Sequence, residues 1–182
     1  MPGIPYLPDH MIDAPKEPPR LYLGGDRGGF ELARVAVDWT DRGGPFEEPG
    51  DAVTWPRSPS APGPVVEFVF DTAQIPMRVV VYSYPEVGAD GIPDQENGTE
   101  TLCSFGDASG KCWYQGGDGD DVRVAVRDAR PGDHLVIHAA WPVLSGDGAP
   151  GELDEVSASW LCRLSGRDGR AVRGPGHPRP NP

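Results

Sequence analysis

Apolar and polar residues alternate along much of this chain with a period of two, the pattern of strands that bury one face. The clearest case runs from Asp121 to Trp141. Val122, Val124 and Val126 alternate with Arg123, Ala125 and Arg127. The turn Asp128-Ala129-Arg130-Pro131-Gly132-Asp133 follows. Leu135, Ile137, Ala139 and Trp141 then alternate with His134, Val136, His138 and Ala140. The stretch reads as two strands folded back on each other. Each is apolar on one side and mostly polar on the other, as in an antiparallel sheet packed on a single face.

Further strands are expected at 20–23, 30–39, 53–55, 65–70, 77–84, 101–105, 111–115 and 156–164, with Gly-, Pro- and Asp-rich turns between them. Residues 29–37 are the one stretch that resembles a helix, but their β-branched side chains and Trp39 favour a strand. So many short strands with regular turn signals predict an all-β fold, an antiparallel β-sandwich or jelly roll. Residues 21–165 would form this domain. Residues 1–20, with Pro2, Pro5, Pro8, Pro15, Pro18 and Pro19, read as an extended arm. Residues 166–182 have no apolar face and read as a disordered tail.

Composition sharpens this picture. Gly 25 and Pro 22 punctuate apolar runs instead of forming a uniform tract, so long helices have little room. The net charge of -12 sets an acidic body against phosphate backbones and anionic membrane surfaces, so no nucleic-acid partner is expected. Residues 165–182 run the other way, with Arg167, Arg170, Arg173 and Arg179 against Asp168. Only Lys16 and Lys111 are lysines, which reads as the coding bias of a GC-rich genome. No segment approaches the ~20 apolar residues of a membrane span, so no membrane insertion is expected. The first residues lack a basic start followed by an apolar core, so no signal peptide is read there.

Cys103 and Cys112 flank a turn-like segment with Gly106, Asp107, Ser109 and Gly110. If the flanking segments pair as a hairpin, the two sulfurs come within bonding reach. A disulfide there points to an oxidising compartment. Cys162 shares the apolar phase of Val156, Ala158, Trp160 and Leu164 and reads as a buried, inert thiol.

Candidate chemistry is sparse. His134 and His138 share a strand face but lie ~13 Å apart, too far to share a metal. The glycines of Gly24-Gly25-Asp26-Arg27-Gly28-Gly29 lack the spacing and the lysine-serine pair of a phosphate loop. No Gly-x-Ser-x-Gly elbow occurs, and no catalytic residue is singled out. Trp39, Trp141 and Trp160 fall on apolar strand phases and read as core. Tyr82, Tyr84, Trp113 and Tyr114 are the aromatic candidates for a binding surface.

Two resemblances add to this reading. Pro131-Gly132 leading into a strand that ends His138-Ala139-Ala140-Trp141 resembles the later strands of immunoglobulin-like and fibronectin-type-III-like sandwiches. Leu135 stands where those families favour a tyrosine. The resemblance implies an immunoglobulin-like sandwich and no particular activity. The run Asp90-Gly91-Ile92-Pro93-Asp94-Gln95-Glu96-Asn97 is similar to the thrombospondin type-3 calcium repeat. That implies calcium held by Asp90 and Asp94, with Glu96 or Asn97 completing the oxygen shell. The other reading of this run is a solvated Asp/Gly turn.

The expected function is a non-enzymatic recognition or accessory module, extracellular or in the cell envelope. It would bind a protein or glycan through the loops around residues 86–120. A second expectation is a component of a virion or other large assembly, using the N-terminal arm to contact neighbours. A third is a hydrolase with an unrecognised carboxylate pair.

Overall fold

The computed structural model describes residues 12–144 and 153–166. Twelve strands form two six-stranded sheets that face each other as a β-sandwich. The first sheet has the order β2 (Phe30–Glu31), β1 (Leu21–Leu23), β5 (Val65–Phe70), β10 (Val122–Arg127), β9 (Cys112–Gly116), β8 (Ser104–Phe105). The second has the order β4 (Phe46–Glu47), β3 (Ala33–Asp38), β12 (Asp154–Arg163), β11 (His134–Val143), β6 (Arg78–Tyr84), β7 (Thr99–Leu102). Every pairing is antiparallel except that of β8 with β9.

The alternation expected of β10 and β11 is present, but the two strands do not pair with each other. β10 lies between β5 and β9, and β11 lies between β12 and β6. The turn 128–133 carries the chain from one sheet to the other. Asp128 at φ 59° and Gly132 at φ 90° provide its left-handed corners. Val122, Val124 and Val126 then face Leu135, Ile137, Ala139 and Trp141 across the core. A hairpin and a crossover leave the same alternation in each strand, so the pattern could not choose between them.

Two other expected strands split where the chain changes sheet. Buried Leu32 separates β2 from β3, and buried Cys103 separates β7 from β8. Residues 53–55 form no strand. Their polar atoms serve the neighbouring loop instead, with Val53 N–H donating to Asp90 O at 2.8 Å and Trp55 Nε1 to Gly91 O at 2.7 Å.

The core is built around aromatic rings. Trp141 lies against Trp39, Phe70 and Trp160 at centroid distances of 5.6, 5.5 and 6.3 Å. All four are essentially fully buried. Two of the indoles keep a partner for their N–H: Trp141 donates to Gln74 O at 2.8 Å and Trp39 to Pro15 O at 3.1 Å. The second bond belongs to the described end of the N-terminal arm, which lies on the domain itself. Ala14 N–H donates to Pro142 O, and Asp13 accepts from Arg42 and from the Leu144 N–H. The rest of the arm, 1–11, and all but Gly166 of the expected tail lie outside the described residues.

Candidate functional cleft

The segment 99–105 crosses between the sheets on one side of the sandwich. β7 pairs with β6 in the second sheet, Cys103 makes the crossing, and β8 joins β9 in the first. Cys103 and Cys112 are disulfide-bonded, with Cα atoms 4.5 Å apart. The expected hairpin is not what joins them. Ser104 lies beside Trp113 and Phe105 beside Tyr114 in parallel register, and the loop 106–111 brings the chain back. The bond therefore staples a strand crossing. Cys162 is free and fully buried, and burial pushes its thiol up to about 12.

Next to this staple, a cleft of about 370 Å³ opens between the sheets. Its floor is apolar, formed by Val81, Val126 and Leu135, which are also part of the core. One wall is polar, with Asn97, Thr99 and Thr101 leading into and along β7 and Ser83 on β6. The opposite wall carries Lys111, Arg127, Arg130 and Asp128. Asp133 braces the junction by accepting from Ser83 Oγ and from the Arg130 N–H, both at 3.1 Å. Arg127 is held on the outside of this wall. Its guanidinium lies 4.6 Å over the Trp113 ring, and Nη1 donates to Gly110 O at 3.2 Å. Lys111 and Arg130 have exposed side chains with no ion-pair or side-chain hydrogen-bond partner among the described residues.

The aromatic candidates separate. Trp113 is half-buried and Tyr82 half-buried, each on an outer sheet face. Tyr114 is buried, its ring 5.4 Å from that of Phe105, and burial pushes its hydroxyl up to about 12. Adjacent residues of a strand point to opposite faces, so Trp113 and Tyr114 cannot both be open. Tyr84 lies on the outer face but is also buried, because the loop 85–98 folds over it and Gly98 packs on its ring. Tyr84 and Tyr114 are therefore not open binding surface.

The loop with the calcium-repeat resemblance is organised by its own turns. Asp90 Oδ1 accepts from the Ile92 N–H at 2.9 Å. Asp94 caps the 3-10 turn Gln95–Asn97, accepting from the Glu96 N–H at 3.0 Å and from Asn97 Nδ2 at 2.9 Å. Short Asp side chains commonly close turns in this way. Asp90, Asp94 and Glu96 are thus not gathered around a common point, and no group of three or more His, Cys, Asp or Glu suited to a metal occurs among the described residues. Gly91 at φ 79° keeps the loop against residue 53: a Cβ there would lie 1.9 Å from Val53 O.

His134 and His138 lie on the outer face of the second sheet. His134 is buried with Trp55 edge-on at 4.9 Å, and His138 Nδ1 meets Ser159 Oγ at 2.9 Å. Among the described residues, no helix is long and apolar enough to cross a membrane. No family model, curated protein or solved structure matches the chain, so the cleft itself carries the functional reading.

Proposed function

We propose that this chain is a non-enzymatic recognition module of immunoglobulin-like type, working outside the cell or in its envelope. It binds a protein or glycan partner at the side formed by residues 83–130. The observation that carries this reading is the cleft beside the stapled crossing, with polar walls from both sheets and two cations that have no side-chain partner among the described residues. Its volume falls in the range of small-ligand sites and suits an inserted side chain or sugar. The strand order supports the immunoglobulin-like part. β1-β5-β10-β9 facing β12-β11-β6-β7 follows the A-B-E-D and G-F-C-C′ order of such sandwiches. The disulfide supports an oxidising compartment.

The test is binding of the intact chain to arrays of glycans and of peptides, beside a variant in which Thr101→Trp fills the cleft. At least one class of ligand should be retained by the wild type and lost by the variant. Retention of nothing, or equal retention by a folded Thr101→Trp, would remove the reading.

A further inference from the structure

We propose that the cleft binds a sugar carrying a carboxylate, a uronic acid or a related sugar acid within an oligosaccharide; this rests on the recognition reading above. Charge is the first argument. The chain has 28 acidic residues against 16 basic ones, yet Lys111 and Arg130 both face this one cleft without a partner among the described residues. With Arg127, three cations line the cleft against the two carboxylates Asp128 and Asp133, so the lining is net positive on a chain of net charge -12, which favours an anionic ligand. Arginine and lysine also supply the charge-assisted donors that a carboxylate needs.

The remaining walls select the body that carries the carboxylate. Thr99, Thr101 and Asn97 offer both donors and acceptors, and Asp128 adds an acceptor on the opposite wall. Sugar hydroxyls are donors and acceptors at once, so walls of this kind match them on both sides. The small apolar floor of Val81, Val126 and Leu135 suits the C–H face of a ring. A space of about 370 Å³ holds one or two rings and not a folded element.

Nuclear magnetic resonance titration of the intact chain with digalacturonate tests this, with cellobiose as the neutral sugar and an acidic tetrapeptide as the non-sugar anion. Digalacturonate should shift the amides of Thr99, Thr101, Lys111 and Arg130 and bind more weakly as salt is raised. Cellobiose should bind at least about tenfold more weakly, the scale of one lost charge-assisted contact. Lys111→Ala and Arg130→Ala should each weaken digalacturonate about tenfold with an unchanged melting temperature, because both side chains are exposed. Equal binding of cellobiose, no shift with millimolar digalacturonate, or wild-type binding by both variants would overturn the proposal. Tetrapeptide binding at the same amides without digalacturonate binding would overturn the sugar and leave the recognition module standing. Loss of both proposals together would appear as silence toward these probes and toward the arrays.

Discussion

At the scale of single residues, burial decides what each side chain can do. Trp160 and Arg163 are three positions apart on β12 and face opposite ways, Trp160 at 1% exposure and Arg163 exposed. Trp160→Ala should cost roughly 3–5 kcal/mol in denaturant melts, the usual result of truncating a large core aromatic. Arg163→Ala should cost under about 1 kcal/mol. Equal costs would contradict the packing of β12. The two outer-face histidines give a pH dependence of definite sign. Burial, with Arg163 nearby, lowers His134, which the Tyr84 backbone and Asp133 only partly oppose; burial, with Arg78 nearby, lowers His138, which Glu155 only partly opposes. Both resist protonation in the fold, while the unfolded chain protonates them near 6.5. As pH falls below 6.5, the unfolded state takes up protons that the folded state refuses, and stability drops until the folded imidazoles also titrate. Unfolding midpoints between about pH 8 and pH 5 should show this loss, and His134→Gln with His138→Gln should flatten it. An unchanged slope in the double variant would rule these histidines out as its source.

At the scale of elements, the period-two pattern carried the phase of the strands but not their partners. It placed Val122, Val124 and Val126 inward, and it placed Trp141 and Trp160 in the core. It could not say that β10 and β11 belong to opposing sheets, nor that Leu32 and Cys103 mark sheet changes, because a crossing residue is as apolar as its neighbours. The cleft was hidden for a related reason. Thr99, Thr101 and Arg130 carry no motif, and only the crossing of 99–105 and the turn 128–133 bring them together. That crossing depends on its staple. Thiol labelling of the folded, non-reduced protein should find no reactive cysteine. Replacing Cys103 and Cys112 by Ser should cost about 2–4 kcal/mol, as expected for freeing a short loop. Labelling of Cys103 before unfolding would contradict the bond. The loop over Tyr84 depends likewise on one glycine. Gly91→Ala needs a left-handed alanine and drives its Cβ into Val53 O, so it should cost about 1–3 kcal/mol and alter the near-ultraviolet signal of Trp55. Gly119→Ala, where nothing lies within 4 Å and φ is ordinary, should change stability by less than about 0.5 kcal/mol. Similar melts for the two variants would show that the approach to residue 53 does not hold this loop.

At the scale of the whole molecule, the described end of the arm bears on whether the chain acts alone or reaches for a neighbour. Asp13, Ala14 and Pro15 bind the same domain they belong to. Arg42 donates to Asp13 Oδ2 and to Ala14 O, both at 2.8 Å, and Pro15 O receives the buried indole N–H of Trp39. Burial works against Asp13, but the Leu144 N–H and the Arg42 guanidinium outweigh it and hold its carboxyl below the usual carboxylate range. These residues close the end of the core over Trp39, so they act as part of the sandwich. Removing residues 1–15 should therefore cost about 2–5 kcal/mol, since it uncovers a core indole and leaves its N–H and the Pro142 carbonyl without their partners. Trp39 emission should shift toward that of solvated indole. If the arm works in cis, the melting temperature of the full chain is independent of concentration, and truncation changes stability without changing the number of chains per particle in sedimentation. An arm exchanged between neighbours would instead give a melting temperature that rises with concentration and a particle that loses chains on truncation. The second outcome would favour the assembly component over the recognition module, because the same five bonds would then be made between chains.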